Sequence, residues 1–161
     1  MELLHELVAR GSPEGACGLA FCLLDGPGEL ERDEPSAAKL FEQAARAGLA
    51  QAMCELGTMH FLGDGVPVND TLALHWFRRA AEAGVSAGMY LYGECLLEGR
   101  GCEPDSAQAH AWFVRAGLKG HRGARGRIVE AVSGRDVELA QAYGRASGRK
   151  GSQWTAAPAA A

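Results

Sequence analysis

The chain contains no apolar run of the ~18 residues that a membrane-spanning helix requires, so no transmembrane segment is expected. Its start, Met1-Glu2-Leu3-Leu4-His5-Glu6, lacks a basic stretch leading into a long apolar one. No signal peptide is therefore expected, and a cytoplasmic location follows as the default. Basic charge is not in excess: the net charge is −4, which argues against a general nucleic-acid binder. The five cysteines, Cys17, Cys22, Cys54, Cys95 and Cys102, include no CxxC or CxxC…HxxxH spacing, which argues against a zinc site. There is no HExxH, GxSxG, Walker loop or Rossmann fingerprint. Gly63-Asp64-Gly65 has neither the oxygen-rich loop that calcium needs nor a following Gly-Lys-Ser. No catalytic residue, metal or cofactor is expected.

What the chain does have is an internal repeat. Leu56-Gly57 returns 36 positions later as Tyr92-Gly93, and Gly63-Asp64-Gly65-Val66 returns as Gly99-Arg100-Gly101-Cys102. Ala73, Trp76 and Phe77 return as Ala109, Trp112 and Phe113, and Gly48 returns as Gly84 and Gly120. A fixed period of this size marks a solenoid.

Each unit reads as two helices. In the first, Met53, Leu56, Gly57 and His60 share one face, copied as Met89, Tyr92, Gly93 and Leu96. A mid-helix glycine costs about 1 kcal/mol of helix propensity relative to alanine, and its repetition predicts close approach of a neighbouring helix. The second helix begins after a polar cap, Asp33, Asn69 or Asp105, and Asp105 with Gln108 has the form of a capping box. Its inner stripe is Ala73, Trp76, Phe77 and Ala80, copied as Ala109, Trp112, Phe113 and Ala116, so the aromatic pairs are expected in the core rather than in a ligand cage. Gly48, Gly84 and Gly120 stand where a left-handed helix cap is wanted.

The pattern continues in both directions with departures. Pro13 to Leu24 matches a first helix with Leu19-Ala20 for Leu-Gly and Gly26-Pro27-Gly28 for the turn, and one inserted residue makes this period 37. Downstream, His121 to Ser133 occupies a first-helix slot without the signature, and Asp136 to Ala146 reads as a closing helix. Helices are expected at 2–10, 13–24, 34–47, 50–62, 70–83, 86–98, 105–118, 121–133 and 135–147. They form one domain, 1–147, followed by a flexible tail, 148–161.

The Leu-Gly first helix, Gly-x-Gly-Val turn, capped Ala-x-x-Trp-Phe helix and closing Ala-Ala-x-x-Gly resemble the Sel-one-like repeat, a relative of the tetratricopeptide repeat. The resemblance implies an all-α fold: an α/α superhelical solenoid of three to four helix pairs with a C-terminal capping helix. It also implies a non-enzymatic scaffold or adaptor that binds a protein or peptide. The alternative that the resemblance implies is a bacterial immunity or inhibitor protein that neutralises a cognate toxin. One secreted, cysteine-rich branch is linked to β-lactam binding or hydrolysis and carries paired cysteines in each repeat, a pairing this chain lacks.

In tetratricopeptide-like superhelices the first helices line the concave surface. Carried over by position, the groove candidates are Glu14, Cys17, Phe21 and Leu24, then Gln51, Cys54, Thr58 and Phe61, then Ala87, Tyr90, Glu94 and Leu97. Aromatics there are typical anchors for a bound segment. Cys17 and Cys54 occupy equivalent slots and are expected as two buried thiols or a redox-sensitive pair. Among the histidines, His60 fills an aromatic slot and is expected packed, His75 and His110 lie near an inter-helix turn, and His5 and His121 lie near helix ends.

Charge is unevenly placed. Residues 115–150 hold nine of the sixteen lysines and arginines and three acids, giving +6 against −10 for the remainder. Arg115, Lys119, Arg122, Arg125 and Arg127 thus form a candidate basic patch for an acidic partner. No membrane or nucleic-acid partner is expected, and the chain is expected to be a monomer or weak dimer.

Overall fold

The computed structural model describes residues 2–26 and 32–148. The remainder of the Gly26-Pro27-Gly28 turn and the tail from 149 lie outside the described residues. Among them the regular structure is helical: α1 (Glu2–Ala9), α2 (Pro13–Asp25), α3 (Glu34–Arg46), α4 (Ala50–Leu62), α5 (Asp70–Glu82), α6 (Ser86–Glu98), α7 (Ser106–Leu118), α8 (Arg122–Glu130) and α9 (Val137–Ala146). The fold is an all-α solenoid of helix pairs. It divides into two compact units, Met1–Val85 and Ser86–Ala161.

One packing device recurs in both units. Phe41, Phe77 and Phe113, on the second helix of each pair, are wholly buried. A Cβ added to Gly57 on α4 would stand 2.7 Å from the Phe77 ring, and one added to Gly93 on α6 would stand 2.8 Å from Phe113. The repeated mid-helix glycine is therefore a notch for a phenylalanine ring, which is the gain that offsets its poor helix propensity. The first pair has Ala20, itself fully buried, in the slot of the glycine. Each buried phenylalanine also meets a ring from its first helix: Phe21 on Phe41 edge-on at 5.1 Å, Phe61 on Phe77 at 6.1 Å, Tyr90 on Phe113 at 5.5 Å. These three rings come from different repeat slots, so the sequence period does not reveal them.

The inter-helix loop is closed the same way three times. The N–H groups of Asp33, Asn69 and Asp105 donate to the carbonyls of Leu23, His60 and Leu96, at 2.9, 2.9 and 2.8 Å. The side chains of these residues then cap the second helices, accepting from Ser36, Leu72 and Gln108 N–H. The capping box expected at Asp105 takes a different form. Because the Asp105 N–H is engaged by Leu96, the Gln108 amide donates instead to the second carboxylate oxygen of Asp105, at 2.9 Å. At the helix ends Gly48, Gly84 and Gly120 have φ of 98°, 93° and 93°, the left-handed geometry expected there.

In the Met1–Val85 unit, α1 to α5 pack in chain order, each on the next. In the Ser86–Ala161 unit the order breaks. α6 pairs with α7 and α8 docks on α7, where Gly117 leaves room for Ile128: a Cβ there would stand 2.5 Å from Ile128 Cδ1. The helix expected over 121–133 begins at Arg122, with His121 as its cap, and ends at Glu130. A kink, Ala131–Arg135, follows and contains Gly134 in the left-handed region at φ 92°. That kink redirects α9, which packs chiefly on α7 and only marginally on α8. The Trp slots also differ: Trp76 is buried, while Trp112 is half-buried.

The notch gives a direct test by urea denaturation. Gly57→Ala is expected to lower stability by up to about 2 kcal/mol, because overpacking of about 1–3 kcal/mol opposes a propensity gain of about 1 kcal/mol. Gly126→Ala on α8, where an added Cβ meets nothing within 4 Å, is expected to raise stability by up to about 1 kcal/mol. Equal effects at the two glycines would contradict the notch.

Candidate functional site

In the Met1–Val85 unit, α2 and α4 carry eight of the groove candidates. Glu14 and Gln51 are exposed, and Phe21, Leu24, Thr58 and Phe61 are half-buried. Phe21 and Phe61 rest on the buried rings of Phe41 and Phe77. They are held from beneath and retain partial exposure. Thr58 turns its hydroxyl back to the Cys54 carbonyl at 3.1 Å, the usual local bond of a helical threonine. Gln51 donates to Glu55 at 3.1 Å, and partial burial pushes the Glu55 carboxyl above its ordinary range despite that bond.

Cys17 and Cys54 belong to the same unit. Both are buried free thiols. Burial, with Glu55 nearby, raises Cys17, and burial pushes Cys54 up to about 12. A thiol held that far above neutrality has almost no thiolate to react with an oxidant. Burial of both thiols fits the packed reading of these cysteines.

The Ser86–Ala161 unit treats its candidates differently. Leu97 is half-buried on α6, but Tyr90 and Glu94 are engaged by α8. Arg127 Nη2 lies 2.6 Å from Glu94 Oε1, an ion pair with that carboxylate mostly buried. Arg127 Nε donates to the Tyr90 hydroxyl at 3.3 Å, and the guanidinium lies 4.9 Å from the Phe113 ring centroid. Burial alone would lower the Arg127 pKa. The Tyr90 bond and the Glu94 charge outweigh it and raise the value. His121 stacks on Tyr90 at 4.6 Å while its Nδ1 caps α8 by accepting from Ala124 N–H at 3.2 Å. The cap requires an unprotonated Nδ1, and burial lowers the His121 pKa.

The five basic candidates thus separate. Arg127 is folded inward onto Glu94. Arg115 lies 4.6 Å over the Trp112 ring, as its repeat equivalent Arg79 lies 5.3 Å over Trp76, so both cover a tryptophan. Lys119, Arg122 and Arg125 are exposed and have no ion-pair partner among the described residues.

One site escapes the repeat pattern. A cleft of about 290 Å³ between α7 and α9 is lined by Ser106, His110, Glu138, Gln141 and Arg145, among others. His110 is buried, with Nε2 3.3 Å from Asp136 Oδ2 and Nδ1 3.9 Å from Glu138 Oε2. Asp136 caps α9 with its other oxygen, so the pair fixes α9 onto α7. The periodicity could not signal this, because Asp136 and Glu138 lie beyond the last regular repeat. Among the described residues no cluster of histidine, cysteine and carboxylates suited to a metal ion is present, and no helix is long and apolar enough to cross a membrane.

Comparison with known proteins matches this geometry to one repeat type. A family model described as the Sel1 repeat matches three consecutive segments, residues 13–49, 50–85 and 86–121. A Sel1 repeat protein from Oxalobacter formigenes is 31% identical, with a TM-score of 0.71 over 79% of this chain and 95% of that one. The protein c5321, described as a protective antigen present in uropathogenic Escherichia coli strains and displaying an SLR fold, is 29% identical with a TM-score of 0.80. That match covers 92% of this chain but 33% of c5321, so the present chain corresponds to a third of that protein's length. Helicobacter pylori cysteine rich protein B shares the fold, with a TM-score of 0.61 at 19% identity over 76% of this chain and 92% of that one. No curated protein sequence matches the chain.

The His121 cap predicts a pH dependence of known sign. A histidine whose pKa is depressed in the folded state stabilises above its unfolded value, and that stability is lost as pH falls. Lowering the pH from about 7.5 to about 5.5 is expected to reduce the melting temperature of the wild type more than that of His121→Asn, which keeps a cap without titrating. Equal losses would remove His121 as the titrating cap.

Proposed function

Because the chain belongs to the Sel1 repeat family, whose repeats generally serve as non-enzymatic protein-interaction scaffolds, we propose that it acts as an adaptor holding a peptide or protein segment against the first helices of its Met1–Val85 unit. The contact residues in this reading are Glu14, Phe21, Leu24, Gln51, Thr58 and Phe61. The observation that carries it is the state of Phe21 and Phe61. Each is supported by a buried phenylalanine yet only half-buried itself. A supported aromatic loses little conformational freedom when a partner covers it, which is what a binding anchor requires.

The flanking groups suit the same role. Exposed Glu14 and Gln51 supply polar rim contacts beside the apolar strip. Tyr90 and Glu94 play a structural part instead, holding α8 through Arg127 and His121.

Affinity capture from a native lysate tests the assignment, with wild type beside a Gln51→Arg, Phe61→Arg double variant shown to fold by circular dichroism. The wild type is expected to retain partners that the variant loses, and Tyr90→Phe is expected to capture as the wild type does. Identical partners on wild type and the double variant would overturn the assignment.

A further inference from the structure

The last first-type helix lacks what its predecessors have. On α4 and α6 the face turned to the paired second helix contains Met53 with Gly57 and Met89 with Gly93. Both methionines are buried, and both glycines receive a phenylalanine ring. One period on, the same two slots of α8 hold Arg125 and Val129. Both are exposed, Val129 at 66%, because α9 has been redirected onto α7 and hardly touches α8. Arg122, Arg125, Gly126 and Val129 lie three, four and seven residues apart and are all exposed, so they form one stripe along the helix. Lys119 precedes the stripe, and neither it nor Arg122 nor Arg125 has an ion-pair partner among the described residues. At Gly126 a Cβ would meet nothing within 4 Å, so a neighbouring helix can approach the α8 backbone closely.

We infer that this stripe is a docking site for an acidic amphipathic helix of a partner protein, which takes the place of the missing second helix of the last repeat. The occupant follows from the groups present. Three unpaired cations within seven residues select carboxylates, and Val129 selects a small apolar side chain, since the notch that admits phenylalanine elsewhere is filled. The chain's own following segment is a poor match, because Arg149 and Lys150 carry the same sign as the stripe. The inference rests on the reading of the chain as a protein-binding scaffold. It concerns a face of the Ser86–Ala161 unit that shares no residue with the Phe21 and Phe61 strip.

The test uses a defined probe with the full chain. The probe is a fluorescent peptide with the sequence of residues 33–47 carrying Lys39→Glu, Phe41→Ala and Arg46→Glu, which keeps the repeat's second-helix pattern, raises its acidity and fits a small side chain over Val129. Its control carries Phe41→Ala alone. By fluorescence anisotropy at low salt the acidic peptide is expected to bind at least about ten-fold more tightly than the control, and to weaken by about ten-fold or more at high salt. Arg122→Glu with Arg125→Glu is expected to abolish binding. Gly126→Trp, which keeps every charge, is expected to weaken it at least about ten-fold by obstruction. Unchanged binding by the folded charge-reversal variant, equal binding of the two peptides, or a flat salt response would overturn the inference. So would a salt-sensitive self-association of the chain that blocks the peptide, which would assign the stripe to a second copy. Neither α8 variant should alter lysate partners held by the Phe21 and Phe61 strip, so failure here and failure of the strip are separable.

Discussion

The architecture depends on a phenylalanine ring seated in a helix that has given up a side chain to receive it. Phe77 over Gly57 and Phe113 over Gly93 bring the two helices of a pair closer than any residue with a Cβ would allow. Much else in each pair serves that contact. The cap residue's N–H closes the loop onto the first helix, its side chain starts the second helix, and a left-handed glycine ends it. Short spacing fixes the register of one helix on the other, so a 36-residue unit can be copied with little change.

A packing scheme built from repeated slots leaves function to the slots it does not use. On α2 and α4 those are half-buried rings braced by core phenylalanines. On α6 two of the candidates lose that freedom: Tyr90 and Glu94 are drawn into a contact with Arg127 and His121 that fastens α8. Position in the repeat thus sets which residues are available for a partner, and the neighbouring helix decides whether they remain so. The terminal helix shows the converse. Where the ring and its notch are both missing, the face that would be core in an internal repeat is arginine and valine in solvent.

Much of this was legible in the sequence because it repeats. The 36-residue period marks the helix pairs, and the caps at Asp33, Asn69 and Asp105, the glycine ends and the close approach at Gly57 and Gly93 all follow from residue types at fixed spacing. The exchange of the capping box at Asp105 for a side-chain pair was not legible, since it depends on Leu96 having already taken the backbone N–H. Nor was the division of the five basic residues into one that pairs with a carboxylate, one that covers a tryptophan and three without an ion-pair partner among the described residues. His110 with Asp136 and Glu138 was hidden for the same reason: contacts made once, by residues outside the period, leave no pattern to read.

Native-state hydrogen exchange of the backbone amides measures the central claim most directly, because it reports which helices are held by a paired neighbour. If the ring-and-notch contact organises each repeat and α8 lacks it, the amides of α4 to α7 should exchange only by global unfolding. Those of α8 should exchange through a smaller local opening, while α6 and α7 remain closed. Protection of α8 equal to that of α4 and α6 would contradict the account, since α8 would then be held as firmly as helices that have their partner.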